Sequence, residues 1–153
     1  ETGEILICGP NVMKGYLRNP ALNQQAFRDG WFRTGDIGCI DPDGFLHIGD
    51  RIKELINRGG EKISPFEIEA VLIKHPDVLE AAAFAVTHPR LGEDVGAAVV
   101  LRPGATVAAA EFRRFLGEHL SWNKVPRRVH VIESIPKGAA GKILRKKLKE
   151  LYS

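Results

Sequence analysis

Four short stretches of this 153-residue sequence carry side chains able to do chemistry. The first is Trp31-Phe32-Arg33-Thr34-Gly35-Asp36, in which a hydroxyl and a carboxylate flank a glycine. A carboxylate held in such a turn accepts two hydrogen bonds from the vicinal hydroxyls of a sugar, and an Asx-type turn explains the same residues. The second is Asp50-Arg51-Ile52-Lys53-Glu54. The planar donors of Arg51 suit phosphate or ribose oxygens; a solvated strand edge is the plainer alternative. The third is Gly59-Gly60 followed by Glu61 and Lys62. Paired glycines let the backbone approach a ligand closely, or simply form a β-turn. The fourth is Pro136-Lys137-Gly138-Ala139-Ala140-Gly141-Lys142. It lacks the GxxxxGK[ST] spacing and the hydroxyl of a P-loop. It still offers one mobile ammonium, on Lys142, to charge developing on a phosphate, unless it is only a flexible loop before a helix.

Other chemistries are poorly served. His47, His75, His88, His119 and His130 are scattered without metal-ligand spacing, so no metal site is expected. No serine sits in a GxSxG elbow. Cys8 and Cys39 read as small core residues and Met13 as packing. Two cysteines are too few for a disulfide scaffold, and no apolar run approaches the roughly 18 residues of a membrane span. No signal-peptide pattern opens the sequence, which points to the cytoplasm. Charge is uneven. Residues 124–153 hold 9 basic against 2 acidic side chains. Such a segment suits a phosphate-bearing partner or forms a solubilising face.

The elements that must position these stretches differ along the chain. Residues 1–50 read as short strands and turns, with a helix over 21–27 that Asp29-Gly30 stops. Two strands, 37–40 and 45–48, flank the hairpin signal Asp41-Pro42-Asp43-Gly44. No amphipathic element there is long enough to bury them, so this half reads as the rim of a larger β-rich body. Residues 51–153 form a self-sufficient pattern. A strand is expected over 51–57. Ser64-Pro65-Phe66-Glu67 then opens a helix, with Ser as N-cap and Pro at the first helical position, whose apolar face is Ile68, Val71 and Leu72. Strands follow at 81–86 and 95–101. A helix over 107–120 turns Phe112, Phe115, Leu116 and Leu120 inward, and a short strand lies at 128–133. The last helix spans 143–152 with Leu144, Leu148 and Leu151 as its stripe.

Taken in order, these stretches resemble the C-terminal part of an acyl-CoA synthetase of the AMP-forming, adenylate-forming superfamily. The resemblance rests on Gly3-Glu4-Ile5 through Gly15-Tyr16-Leu17, on Gly30 through Asp36, on residues 50–69 and on residues 136–142. It is nearest to bacterial fatty-acyl, medium-chain or oxalate-type CoA ligases. It implies an α+β fold: a small C-terminal lid domain, 51–153, with a short β-hairpin and a three-stranded sheet flanked by helices. This is preceded by a β-rich remnant, 1–50, of the large N-terminal domain.

By the same resemblance the parent enzyme joins a carboxylic acid to CoA at the expense of ATP, with magnesium, through an acyl-adenylate. Thr34, Asp36 and Arg51 would bind the nucleotide, and Asp50 and Lys53 would form the hinge. Lys142 would catalyse adenylation, and Gly59, Gly60, Glu61 and Lys62 would serve the thioester step. Departures from the family pattern are Asn57, Glu61-Lys62, Trp122-Asn123 and Ala140. The ATP-phosphate loop, adenine site and acyl pocket of the family have no counterpart here, so the chain alone is expected to be inactive. No cofactor is needed for it to fold, and its partners would be the missing domain, the acid and CoA. Residues 1–50 could also pair or swap between copies. The alternatives are an adenylation domain that loads a carrier-protein thiol and a basic module that binds nucleic acid. Trp122 and Tyr152 are too few and too separated to give the latter a stacking surface.

Overall fold

The structure, a computed structural model, describes residues 2–153; Glu1, the first residue of the expected remnant, lies outside them. The described residues form two compact units that divide after Lys53.

The first unit is a four-stranded antiparallel sheet built on one long strand. β1 (Thr2–Ile7), β2 (Phe27–Arg28) and β4 (Leu46–Arg51) all pair with β3 (Trp31–Ile40). A short helix, α1 (Pro20–Ala26), precedes β2. Asn19 caps it by accepting from the Leu22 amide at 3.1 Å, and Pro20 takes the first turn, where no amide is needed. Asp29-Gly30 does not merely stop this helix. Arg28 pairs with Trp31, and both loop residues have positive φ, +51° and +84°. That is a two-residue type I′ hairpin turn, for which Asp-Gly is a strong signal. The β3–β4 turn is held by Asp41, whose carboxylate accepts from the amides of Asp43 and Phe45. His47, 2.6 Å from that carboxylate, is the main cause of its lowered pKa, with the Phe45 amide next.

None of residues 2–53 is buried, and Ile40, Phe45 and Ile48 are each about two-thirds exposed, at 65%, 69% and 67%. Cys8 is exposed, Cys39 only half-buried and Met13 exposed, so none is a core residue as the sequence suggested. The unit has no second layer to cover them.

The strand expected over 51–57 does not form. β4 ends at Arg51, a single 3-10 turn covers Ile52–Glu54, and β5 (Ile56–Arg58) begins a new sheet. Ile52 is 38% exposed and Ile56 only 1%, so the two isoleucines never shared a face. Here the chain passes from one unit to the other.

The second unit has three layers. Its sheet runs β6 (Glu61–Ile63), β5, β8 (Gly92–Leu101), β7 (Val78–His88), and β9 (Arg128–Val131) lies parallel to β8 from Gly96 to Val99. α2 (Pro65–Leu72) and α3 (Ala109–His119) are packed through Ile68, Leu72, Phe112 and Leu116 onto Ala81, Ala83, Val95, Ala97 and Val99. α4 (Arg145–Tyr152) places Leu148 in a second core with Ala82, Phe84, Ala98 and Ile135. The alternation along β7 and β8 is the period-two rule for a sheet covered on both faces. The α+β class read from the sequence is the observed one.

Ser64 caps α2 as expected, accepting from the Glu67 amide at 3.1 Å. α4 departs from expectation. It begins two residues late, Leu151 is 60% exposed, and Tyr152 packs near Phe84 and His130 in its place. A stripe drawn through Leu144 fails because Leu144 precedes the first helical turn. No helix among the described residues is long and apolar enough to cross a membrane.

Candidate functional site

In the first unit the structure brings Thr34, Asp36 and Arg51 together. Asp36 on β3 faces Arg51 on β4, and Arg51 Nε donates to Asp36 Oδ1 at 2.8 Å. The Thr34 hydroxyl donates to the Ile5 carbonyl at 2.8 Å and accepts from the Asp36 amide at 3.0 Å. Thr34, rather than the aspartate, therefore makes the local side-chain turn, around Gly35 at φ +73°. Asp36 Oδ2 and the terminal nitrogens of Arg51 have no partner among the described residues. The pair thus presents an acceptor beside two donors, which matches adjacent sugar hydroxyls and an anionic oxygen. Asp50 is half-buried and Lys53 exposed within the 3-10 turn, on either side of Arg51 and Ile52.

In the second unit Gly59 and Gly60 form the tip of the β5–β6 hairpin. Arg58 pairs with Glu61, and the two glycines between them have φ +60° and +97°. This is again a type I′ turn, which requires positive φ at both central residues. The Gly59 amide donates to the Leu91 carbonyl at 3.0 Å, and the Gly60 amide to Asn57 Oδ1 at 3.2 Å. A Cβ on Gly59 would lie 3.1 Å from a Leu91 methyl, whereas one on Gly60 would meet nothing within 4 Å.

Below the tip, Arg58 pairs with Asp94 at 2.8 Å and lies over the Trp122 ring at 5.1 Å. Burial works to raise the Asp94 pKa, but the Arg58 hydrogen bond and the Val95 amide outweigh it and the net shift is downward. Glu93 behaves alike: burial opposes, while the Asn57 amide and Lys149 prevail and lower it. Glu61 accepts from Asn123, and Lys62 lies close enough to Glu93 to favour its charge.

Lys142 sits on a separate loop whose backbone is tied at several points. Gly138 N donates to Lys142 O at 2.8 Å, Gly141 N to Gly138 O at 2.9 Å, and Leu144 N to Pro136 O at 2.8 Å. Lys137 bridges to Ile143 and forms an ion pair with Glu80 at 2.6 Å. The Lys142 side chain is exposed, and its ammonium has no hydrogen-bond or ion-pair partner among the described residues.

The two loops of this unit are not brought together. The glycine hairpin abuts Gly92, at one end of the β7–β8 ladder, and the Lys142 loop is tied to Glu80 near the other. His88 lies eight residue steps along β7 from Glu80, about 26 Å at a rise of about 3.3 Å per residue.

Sequence reasoning missed two groups. One is the Arg58, Asp94 and Trp122 stack beside the hairpin. The other is Arg145, which pairs with Glu69 and Glu54. Glu69 gave a signal in the sequence: it directly follows Ile68 on the inward side of α2, where a carboxylate needs a buried partner.

Residues 67–142 match the AMP-binding enzyme C-terminal domain family. By sequence the chain is similar to an oxalate–CoA ligase of Arabidopsis thaliana, 52% identical over 144 residues, which are 94% of this chain and 28% of that protein. It is likewise similar to a 2-succinylbenzoate–CoA ligase of Geobacillus kaustophilus, 48% identical over 151 residues, 99% of this chain and 31% of that protein. By structure it matches ATP-bound MatB from Rhodopseudomonas palustris with a TM-score of 0.92 and 39% identity, over 99% of this chain and 30% of that one. Residues 67–142 thus form an AMP-binding enzyme C-terminal domain. The two sequence relatives are CoA ligases, and the chain spans about three-tenths of the length of each of these three proteins.

Proposed function

We propose that this chain is the C-terminal part of an ATP-dependent carboxylic acid:CoA ligase. In the first half-reaction a carboxylate oxygen of the acid attacks the α-phosphorus of ATP, supplied with magnesium, and pyrophosphate leaves. In the second, the CoA sulfur attacks the acyl carbonyl, loses its proton to solvent, and AMP leaves as the thioester forms.

The observation that carries the reading is the Lys142 loop, a pinned backbone bearing an ammonium without a partner among the described residues. A preorganised cation of this kind stabilises the charge that grows on the α-phosphate and the acid during adenylation, with little reorganisation at the moment of reaction. Asp36 takes the ribose hydroxyls through its unpaired oxygen, Thr34 shapes that turn, and Arg51 contacts the nucleotide beside it. The chain pivots at Asp50 and Lys53, as element-terminal residues do in hinge closures. One orientation of the second unit offers Lys142; the other offers the Gly59–Gly60 backbone, with Glu61 and Lys62, to the thiol's tether. The separation of the two loops along β7 supports such a division, since one site cannot use both loops at once.

Residues 2–53 supply a sheet with exposed Ile40, Phe45 and Ile48. Their partner is the large N-terminal domain of the parent enzyme or, in its absence, a second copy of the chain. The reaction draws on ATP and CoA, both of which the cytoplasm supplies.

The test is acid-dependent exchange of pyrophosphate into ATP by the full-length protein, across a panel of carboxylates, followed by thioester formation on adding CoA. The reading expects exchange with at least one acid and a CoA thioester as product. Exchange with no product on CoA, but with product on a carrier-protein thiol, would reassign the second step. Exchange with no acid in the panel would overturn the ligase.

A further inference from the structure

The start of α4 is built against the usual rules for a helix. Its first turn carries Arg145, Lys146 and Lys147, with no acidic residue and no side-chain cap. Cations at this end oppose the helix dipole. Arg145 is also largely buried, its side chain only 13% exposed.

All three nitrogens of the guanidinium are engaged. Nη1 and Nη2 fork onto the Glu69 carboxylate of α2, Nη1 also donates to the Ala83 carbonyl of β7 at 2.9 Å, and Nε donates to Glu54 at 3.1 Å. The Phe66 ring lies 5.0 Å from it. Glu69 in turn accepts from the Ala83 amide at 2.8 Å. A buried ion pair gives little net stability over apolar residues of similar size. What a forked arginine supplies is a fixed geometry.

The position of Arg145 says what is being fixed. It lies three residues after Lys142, whose own carbonyl is held by Gly138 from the other side. Its third partner, Glu54, directly follows Lys53, and the Glu54 side chain is 40% exposed.

We propose that Arg145 is a positioning residue for the adenylation step. It clamps the chain on the C-terminal side of Lys142 to α2 and β7, and through Glu54 it ties the lysine loop to the chain just past the pivot. This rests on the role given to Lys142 above and adds the device that aims it.

The test uses the full-length protein. Arg145→Lys keeps the charge and removes the fork. Glu54→Gln removes the hinge-side carboxylate at a partly exposed position and leaves the Glu69 pair intact. Pyrophosphate exchange, thioester formation from supplied acyl-adenylate, and the unfolding midpoint are measured for each. In folded Arg145→Lys, kcat for exchange is expected to fall about 10- to 100-fold, because displacements near 1 Å carry penalties of that size. The KM for ATP and the thioester half-reaction are expected to stay within about twofold. Glu54→Gln is expected to show the same split with a smaller loss.

Equal loss in both half-reactions, or no loss, in a folded variant overturns the proposal. If Arg145→Lys does not fold, Glu54→Gln decides it. Lys142→Ala is run beside them. If it leaves exchange intact, the role of Lys142 falls and this proposal with it. If it abolishes exchange while the folded variants keep theirs, only the positioning role falls.

Discussion

The glycine hairpin separates two explanations that predict different things for one substitution. Gly60 has φ +97° and open space where a Cβ would stand, so its only structural demand is backbone conformation. Alanine at such a positive φ costs about 1–2 kcal/mol. Part of that, about 0.4–1 kcal/mol, returns because alanine restricts the unfolded chain. The net for Gly60→Ala is a loss of about 1 kcal/mol, or about 4–8 °C in midpoint for a domain of this size. Asparagine tolerates the left-handed region, so Gly60→Asn is expected to cost less than Gly60→Ala. Because none of residues 2–53 is buried, the cooperative transition of the 153-residue chain reports the second unit.

Function should not follow stability. If the backbone at the tip is approached by the tether of the thiol, the Asn side chain blocks it however well the turn forms. In the full-length protein Gly60→Asn is therefore expected to lower thioester formation from supplied acyl-adenylate at least about tenfold, the rate cost of about 1.4 kcal/mol in the barrier. Pyrophosphate exchange is expected to be unchanged. A Gly60→Asn enzyme with normal thioester formation would show that the glycines only make the turn. A Gly60→Ala chain as stable as the parent would refute the conformational argument itself.

Two further outcomes follow from the geometry. Asp36→Asn keeps the shape of the β3–β4 pair and removes its charge. It is expected to raise the KM for ATP in pyrophosphate exchange about tenfold, equivalent to about 1.4 kcal/mol of nucleotide binding, while the unfolding midpoint hardly moves, because an exposed ion pair contributes about 0–1 kcal/mol. Stability should also fall with acid in two stages. His130 has a folded pKa below its usual 6.5, chiefly through burial and then through Arg128. The unfolded chain therefore takes up that proton first, and stability is lost as pH falls below 6.5. Glu93 and Asp94 are lowered from 4.5 and 3.8, so their contribution is present above those values and is lost as pH falls through the folded ones. Urea unfolding at a series of pH values reads both, and a midpoint that rose on acidification would contradict them.

What the sequence disclosed follows from how local each signal was. Ser64 and Pro65 announced α2 because capping needs only the next three residues. Asp41 through Gly44 announced a turn for the same reason. The chemistry-bearing loops were legible by residue type, and the Asp36–Arg51 pair shows two of them meeting across adjacent strands. The break at Ile52–Glu54 was hidden because Ile52 and Ile56 have strand spacing, and only tertiary structure puts one at the surface and one in the core. Cys8 and Cys39 looked like core residues because small apolar residues usually are; the first unit has no inside to receive them. In the sequence Arg145 is one of the 9 basic side chains of residues 124–153, with nothing to single it out. Its importance lies in Glu69 and Glu54, 76 and 91 residues away, which no local pattern connects.

The central claim is that Lys142 acts in one half-reaction and is out of the way in the other. The measurement is Lys142→Ala in the full-length protein, with pyrophosphate exchange and thioester formation from supplied acyl-adenylate assayed separately. Loss of a preorganised cation is expected to cut exchange by about 10²- to 10³-fold or more. The exposed side chain has no hydrogen-bond or ion-pair partner among the described residues, so its removal is expected to leave the protein folded. Thioester formation should continue at nearly the parental rate. A folded variant in which both half-reactions fall together, or in which exchange persists, would contradict the account.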